Sequence, residues 1–326
     1  MKIFYAIQAT GNGHVSRAIQ LYPYLQKYGE VDFFLSGSNA SLDFDLPIKY
    51  RNNGCSLHYN PCGGLDYWEI AKNIHPIALF KDAKNLPLSN YDVIINDFEA
   101  VTSLACKLQN KKSIQFGHQA SFVSKLCPRP EKGDFLGELV LNNYSTSSHT
   151  IGLHFKKYDS FIYNPVIKKN ILEANPTNKK HISVYLPSFD VDCLEKAFLA
   201  LPDVEFHWFL KTVKEPYRQG NILFYPINQE LFDTSLIHCD GIITGAGFES
   251  PAEALYLEKK VLSIPIANHY EQACNAEALK LMGVPTLTKV DGNFKLEIEN
   301  WLNSSQTYPK IEANSIPETL DVLFSL

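Results

Sequence analysis

Short, continuously apolar runs alternate with helix-period patterns along nearly the whole chain, and the series starts twice. Ile3 to Ile7, Val31 to Leu35, Val93 to Asn96, Lys112 to Phe116 and Ser160 to Tyr163 read as strands. A second series follows at His181 to Leu186, Glu205 to Leu210, Ile222 to Tyr225, Gly241 to Thr244 and Lys260 to Ile264. Strands that are apolar throughout must be covered on both faces, which selects parallel sheets flanked by helices. Helical patterns fit between them, such as Val15 to Lys27, Ala100 to Gln109 and Cys193 to Leu201. The chain therefore reads as α/β, with two Rossmann-like, doubly wound parallel-sheet domains facing a cleft. Its 326 residues suffice for two cores.

The expected division is an N-terminal domain over 1–163, a linker over 164–180, a C-terminal domain over 181–310 and a closing helix over 311–326 that packs back on the first domain. Asn164-Pro165-Val166 and the polar stretch Asn175 to Lys180 mark the linker. Ligands of such sheets bind beyond the carboxyl ends of the strands, so both domains aim loops at the cleft.

Composition removes several functions. A net charge of −5 argues against a general nucleic-acid footprint. Seven scattered Cys fit reduced thiols better than a disulfide framework. Cys55, His58 and Cys62 are spaced like part of a metal site, but no second pair follows and Pro61 and Gly63 read as a turn. The opening apolar run is too short for a signal peptide, and no stretch has transmembrane length. A cytoplasmic protein is expected, with peripheral membrane contact left open.

Two loops carry chemistry. Strand one runs into Gln8-Ala9-Thr10-Gly11-Asn12-Gly13-His14, and a helix begins just after. Its glycines permit close approach of a ligand, and a neutral His14 at the helix start can accept a proton. The loop lacks the third glycine of the dinucleotide fingerprint and has no Walker Lys-Ser/Thr, and it also reads as a plain βα turn. In the second half, a buried strand ends at Gly245-Ala246-Gly247-Phe248-Glu249-Ser250-Pro251-Ala252-Glu253. Ser250 is placed to cap the next helix, whose N-terminal amides favour a diphosphate. Glu253 has capping-box spacing, or serves as a carboxylate for a ribose diol. Glu271 and Gln272 supply acceptors and a donor for sugar hydroxyls, or form a solvated helix start, and Asn268 and His269 read equally as caps.

These residues resemble the donor-binding signature of GT-B glycosyltransferases from Gly245 through Asn275. The similarity is to the lipid II-forming N-acetylglucosaminyltransferase, the UDP-glucuronosyltransferases and related uncharacterised bacterial and archaeal transferases. Gly11-Asn12-Gly13-His14, Asn164-Pro165-Val166 and the acidic strand end Tyr91 to Glu99 match that group in order. The resemblance implies that Glu253 binds the donor ribose. It implies that Gly245, Ala246, Gly247, Phe248 and Ser250 surround the diphosphate, that the loop with Ser188 faces the phosphates, that Ile227 and Asn228 border the base, and that Glu271 and Gln272 contact the sugar; Gly13 is expected to contact the donor from the first loop. Pro187-Ser188-Phe189 lacks the double glycine of the lipid II enzyme, and Glu271 replaces an Asp of the glucuronosyltransferases.

The expected activity is inverting, metal-independent transfer from a nucleotide-diphosphate sugar, with uridine as the base by resemblance, to a hydroxyl of a glycan, lipid or small molecule. No cofactor is expected, and no Asp-x-Asp pair stands on a cleft loop. His14 or Asp97 is the base, or Asp97 orients His14. Asp97 also reads as a cap for the helix from Ala100. His118 is expected in the acceptor pocket, shaped by loops over Gly54 to Tyr67 and Ser121 to Leu141. Rival readings are a nucleotide-sugar epimerase and a non-catalytic nucleotide-sugar-binding protein on the same fold.

Overall fold

The computed structural model describes residues 1–9, 11–37, 46–54, 76–189 and 191–326. Cys55, His58, Cys62 and most of the loop from Gly54 to Tyr67 lie outside them.

The first lobe holds a seven-stranded, all-parallel sheet of β1 (Lys2–Gln8), β2 (Glu30–Ser36), β3 (Ile48–Asn52), β4 (Val93–Asp97), β5 (Ile114–Gly117), β6 (His149–Leu153) and β7 (Ile162–Tyr163). Their order is β3-β2-β1-β4-β5-β6-β7. Helices α1 (Asn12–Leu25), α2 (Pro76–Asn85), α3 (Ala100–Gln109) and α4 (Phe135–Asn143) accompany this sheet. A four-residue helix, α5 (Lys169–Leu172), follows in the connection to the second lobe.

The second lobe is a six-stranded sheet of β8 (His181–Tyr185), β9 (Glu205–Leu210), β10 (Tyr217–Gln219), β11 (Ile222–Pro226), β12 (Gly241–Thr244) and β13 (Lys260–Ser263). The order is β10-β11-β9-β8-β12-β13, parallel except for β10, an antiparallel edge. Its helices are α6 (Val191–Leu199), α7 (Gln229–His238), α8 (Glu249–Tyr256), α9 (Tyr270–Leu281) and α10 (Phe294–Asn303). The last helix, α11 (Ile316–Ser325), leaves this lobe and packs on α1, where Phe324 stacks on Tyr28 at 4.1 Å. None of the described helices is long and apolar enough to cross a membrane.

The buried rows explain the strands. Ile3, Phe4, Tyr5, Ala6 and Ile7 are fully buried, as are Phe206, Trp208 and Phe209 of β9. Central strands covered on both faces have no polar side to alternate with. Three strands escape the apolar-run reading. β3 alternates partly buried with exposed residues, β6 begins with polar His149 and Thr150, and β10 is exposed throughout. The connection is more than a polar tether, because Val166, Ile167, Lys168 and Ile171 are buried in it.

Both sheets reverse their order beside their first strand, between β1 and β4 in one and between β8 and β12 in the other. Loops diverge at such switch points and leave a crevice beyond the strand ends. The two crevices supply the residues described next.

Candidate functional site

On the N-terminal side, Asp97 ends β4 and is completely buried. It is not the cap of α3. Glu99 is, accepting from the amides of Val101 and Thr102, while Asn96 bonds both backbone groups of Glu99. That tight turn puts Phe98 at φ 55°, a conformation unfavourable for a bulky side chain and characteristic of functional sites. Freed from capping, Asp97 Oδ1 lies 2.7 Å from His14 Nδ1. Arg17 grips the same carboxylate, Nε at 3.0 Å and Nη2 at 2.8 Å. Burial disfavours the Asp97 anion, but Arg17 and His14 outweigh it and hold the carboxyl below its ordinary value. Gly117, at φ 147°, packs against the pair, and a Cβ there would come within 2.7 Å of Asp97 Oδ1.

The first loop is shorter than its glycines suggest. α1 begins at Asn12, so Gly13 and His14 belong to its first turn, with extended Gly11 as N-cap. His14 is 8% exposed, and its Nε2 faces the Gln119 amide at 3.4 Å. A ring whose Nδ1–H is given to Asp97 keeps Nε2 as an acceptor, the arrangement a general base needs.

On the C-terminal side, β12 ends at Thr244 and α8 begins at Glu249 after an N-cap Phe248 that gives no side-chain bond. Ser250 is therefore the second helical residue and not the cap. Glu253 forms no capping box: it is 2% exposed, with Oε2 3.1 Å from Lys168 Nζ. Lys168 comes from the interlobe connection and also pairs with Asp233 of α7, which Asn170 holds at 2.7 Å. Burial pushes the Glu253 carboxyl up to about 7; Lys168 opposes the shift and Asp233 adds to it.

A cavity opens between these two sides. Gly13 lines it from the first lobe; Ser188, Ile227, Asn228, Gly245, Gly247, Phe248, Ser250, Glu253 and Gln272 line it from the second. Asn228 also caps α7, accepting from the Leu231 amide at 3.0 Å. Gln272 Oε1 accepts from the Ile266 amide, and His269 caps α9. Ala246 is off the wall, fully buried, with its carbonyl accepting from Asn275 Nδ2. Glu271 turns to the other lobe and accepts from Gln119 Nε2 at 3.1 Å.

His118, expected in the acceptor pocket, does not line this cavity. It is 1% exposed, with Nδ1 2.9 Å from the Leu153 carbonyl and Nε2 2.7 Å from Asn275 Oδ1. Its ring stacks on Phe248 at 4.0 Å. With both nitrogens and one face occupied, it braces the lobes together. Burial lowers its basicity, and Glu271 only partly opposes this.

Residues 138–304, just over half the chain, match the family described as Glycosyl transferase family 1. The chain belongs to that family. A family 1 member is a nucleotide-sugar glycosyltransferase, and solved structures agree on its fold. Arabidopsis thaliana UGT89C1 bound to UDP superposes with a TM-score of 0.60 at 12% identity, covering 99% of this chain and 98% of that one. MurG of Acinetobacter baumannii gives 0.56 at 12% identity over 100% of both chains. The spinosyn forosaminyltransferase SpnP gives 0.54 at 13% identity, with 93% and 91% covered. The architecture is GT-B. No curated protein sequence matches the chain significantly.

Several residues of this family 1 transferase went unnoticed in the sequence. Arg17 lies three residues past His14, and that helical spacing was the available signal. Glu249 and Glu253 share one face of α8 at i, i+4, and both line the cavity. Lys168, Tyr185, Phe209 and Lys211 also line it. Asn12 Nδ2 donates to Tyr185 Oη at 3.2 Å across the cleft. Only folding brings these together, since Asn12 and Tyr185 are 173 positions apart.

Proposed function

We propose that this protein transfers a sugar from a uridine diphosphate donor to a hydroxyl acceptor, with inversion and without a metal. One observation carries the reading: Gly13, which adjoins the His14–Asp97 pair, and the start of α8 line one cavity from opposite lobes. His14 Nε2 takes the acceptor proton while the acceptor oxygen bonds to the anomeric carbon. The bond from that carbon to the diphosphate breaks, and UDP leaves with the electron pair. Attack opposite the leaving group inverts the centre. Asp97 orients the ring and stabilises the imidazolium.

The leaving diphosphate is taken by the N-terminus of α8, whose first amides have no partner within the helix, together with Gly245, Gly247 and Ser250. That positive potential replaces a divalent cation, so turnover is expected to survive EDTA. Glu253 accepts the ribose hydroxyls, Ile227 and Asn228 border the base, and Gln272 with Glu271 contacts the sugar. The Arabidopsis relative was solved with UDP, with UDP-L-rhamnose and with quercetin, which supports the donor and a small acceptor as first choices.

The test is a thermal-shift panel of nucleotides and nucleotide sugars followed by calorimetry. UDP at about a hundred times its Kd should add about 2.7 kcal/mol of stability. A panel in which a different nucleoside diphosphate binds and UDP does not removes uridine, and a panel with no binder removes the donor site.

A further inference from the structure

The first turn of α8 carries an acid at the very place its own N-terminus attracts one. Glu249 is the first residue of the helix and lines the cavity. A carboxylate there is stabilised by the helix dipole and the unpaired amides of the first turn. Those amides are the seat assigned above to the donor diphosphate. An anionic Glu249 folded over them would compete with the phosphates for the same donors.

The structure draws that carboxylate away. Arg17 Nη1 donates across the cleft to Glu249 Oε1. Arg17 is 3% exposed and cannot wander, because Nε and Nη2 are both committed to Asp97. Asp97 and Glu249 both raise its affinity for its proton against the cost of burial, so it stays a cation. Gly13 faces the same carboxylate, and a Cβ there would overlap it. The missing side chain is what lets Glu249 lie against the first lobe.

We propose that Arg17 is a positioning residue for donor binding: it neutralises Glu249 and holds its carboxylate beside Gly13, leaving the start of α8 open to a diphosphate. Through Asp97 the same guanidinium ties that arrangement to His14. This rests on the donor reading above and adds to it a residue that does not touch the donor.

The experiment is calorimetric titration of the full chain with UDP, and with pyrophosphate as a probe without a base. Glu249→Gln is expected to bind UDP as tightly as the wild type or more tightly, since it removes a like charge from the seat. Arg17→Gln is expected to weaken UDP by about tenfold or more, because Glu249 is left uncompensated. The double variant Arg17→Gln/Glu249→Gln is expected to return to within about threefold of Glu249→Gln. A merely structural Arg17 gives a double variant as weak as Arg17→Gln, and that result overturns the proposal. So does a Glu249→Gln protein that has lost about tenfold in affinity, which would make Glu249 a direct ligand. If Arg17→Gln does not fold, the Glu249→Gln titration decides alone. Wild-type protein that binds neither probe removes the diphosphate seat and this proposal with it; binding that ignores Arg17→Gln removes only the role of Arg17.

Discussion

Asp97 and Glu253 are both buried carboxylates, each beside a buried cation, yet their charges are governed in opposite ways. Asp97 takes two prongs of a guanidinium, Nε and Nη2, on its two oxygens, with His14 beside it, while the third prong, Nη1, goes to Glu249. Its carboxyl is held below the ordinary value despite complete burial. Glu253 shares one lysine with Asp233, so a single positive charge serves two anions, and its carboxyl is pushed up to about 7. Each cation serves two anions, so what decides the state is the number and geometry of the donors on each carboxylate, and burial alone does not. Asp97 is fitted to remain an anion behind a base. In the proposed donor site, ribose hydroxyls would give Glu253 an incentive to ionise.

The largest effect that would break this comparison lies at the base. His14→Ala should cut kcat by roughly a thousandfold at unchanged UDP affinity, and Asp97→Asn should cut kcat by a similar order. Steady-state turnover of the donor chosen by the panel measures it, and undiminished kcat in His14→Ala would falsify the base assignment.

Stability comes next. Asp97→Ala leaves Arg17 buried and half-paired and should cost about 3–5 kcal/mol in denaturant unfolding. Glu253→Gln resembles the protonated form that burial already favours, and should change stability by less than about 1 kcal/mol. Equal losses at the two sites would erase the contrast.

The pH dependence sharpens it further. Asp97 has a depressed folded value, so its contribution is present above the unfolded value and disappears as pH falls through the folded one. The stability gap between wild type and Asp97→Asn should therefore narrow in acid. Glu253 has a raised folded value, so its contribution is full below its unfolded value and is lost as pH rises through about 7. If Glu253 accepts the ribose hydroxyls as proposed, the ionised form does so, and UDP affinity should climb across about pH 7. Asp233→Asn removes the competing anion and should move that rise to lower pH. A pH-independent affinity in calorimetry would disconnect Glu253 from the ribose.

The smallest effect concerns capping. Ser250→Ala should change stability by no more than about 0.5 kcal/mol, because Ser250 lies inside α8. Glu99→Ala, which removes the actual cap of α3, should cost about 1 kcal/mol or more. Thermal unfolding of both variants distinguishes them.

Much of the fold is visible without coordinates. Continuous apolar runs such as Ile3 to Ile7 and Glu205 to Leu210 leave no polar face, and only central strands between helix layers fit them. Strands at the margins are less legible. β3 and β10 owe their pairing to a neighbour and not to an apolar pattern. Cap assignments failed at Ser250 and Asp97 because residue type allows a cap while backbone geometry selects it: Phe248 and Glu99 hold those positions.

The sequence by itself determined the two α/β units, the glycine-bearing turns after β1 and β12, and the residue types that ride on them. These follow from local periodicity and from the conformations each residue permits. Tertiary structure decided which carboxylate meets which cation. Arg17 reaches Asp97 and Glu249, Lys168 reaches Asp233 and Glu253, and His118 reaches Asn275, all across long stretches of chain. Such pairings depend on how two lobes close over one another, and electrostatics in a buried cleft is set by distances of a few ångströms that no spacing along the chain encodes.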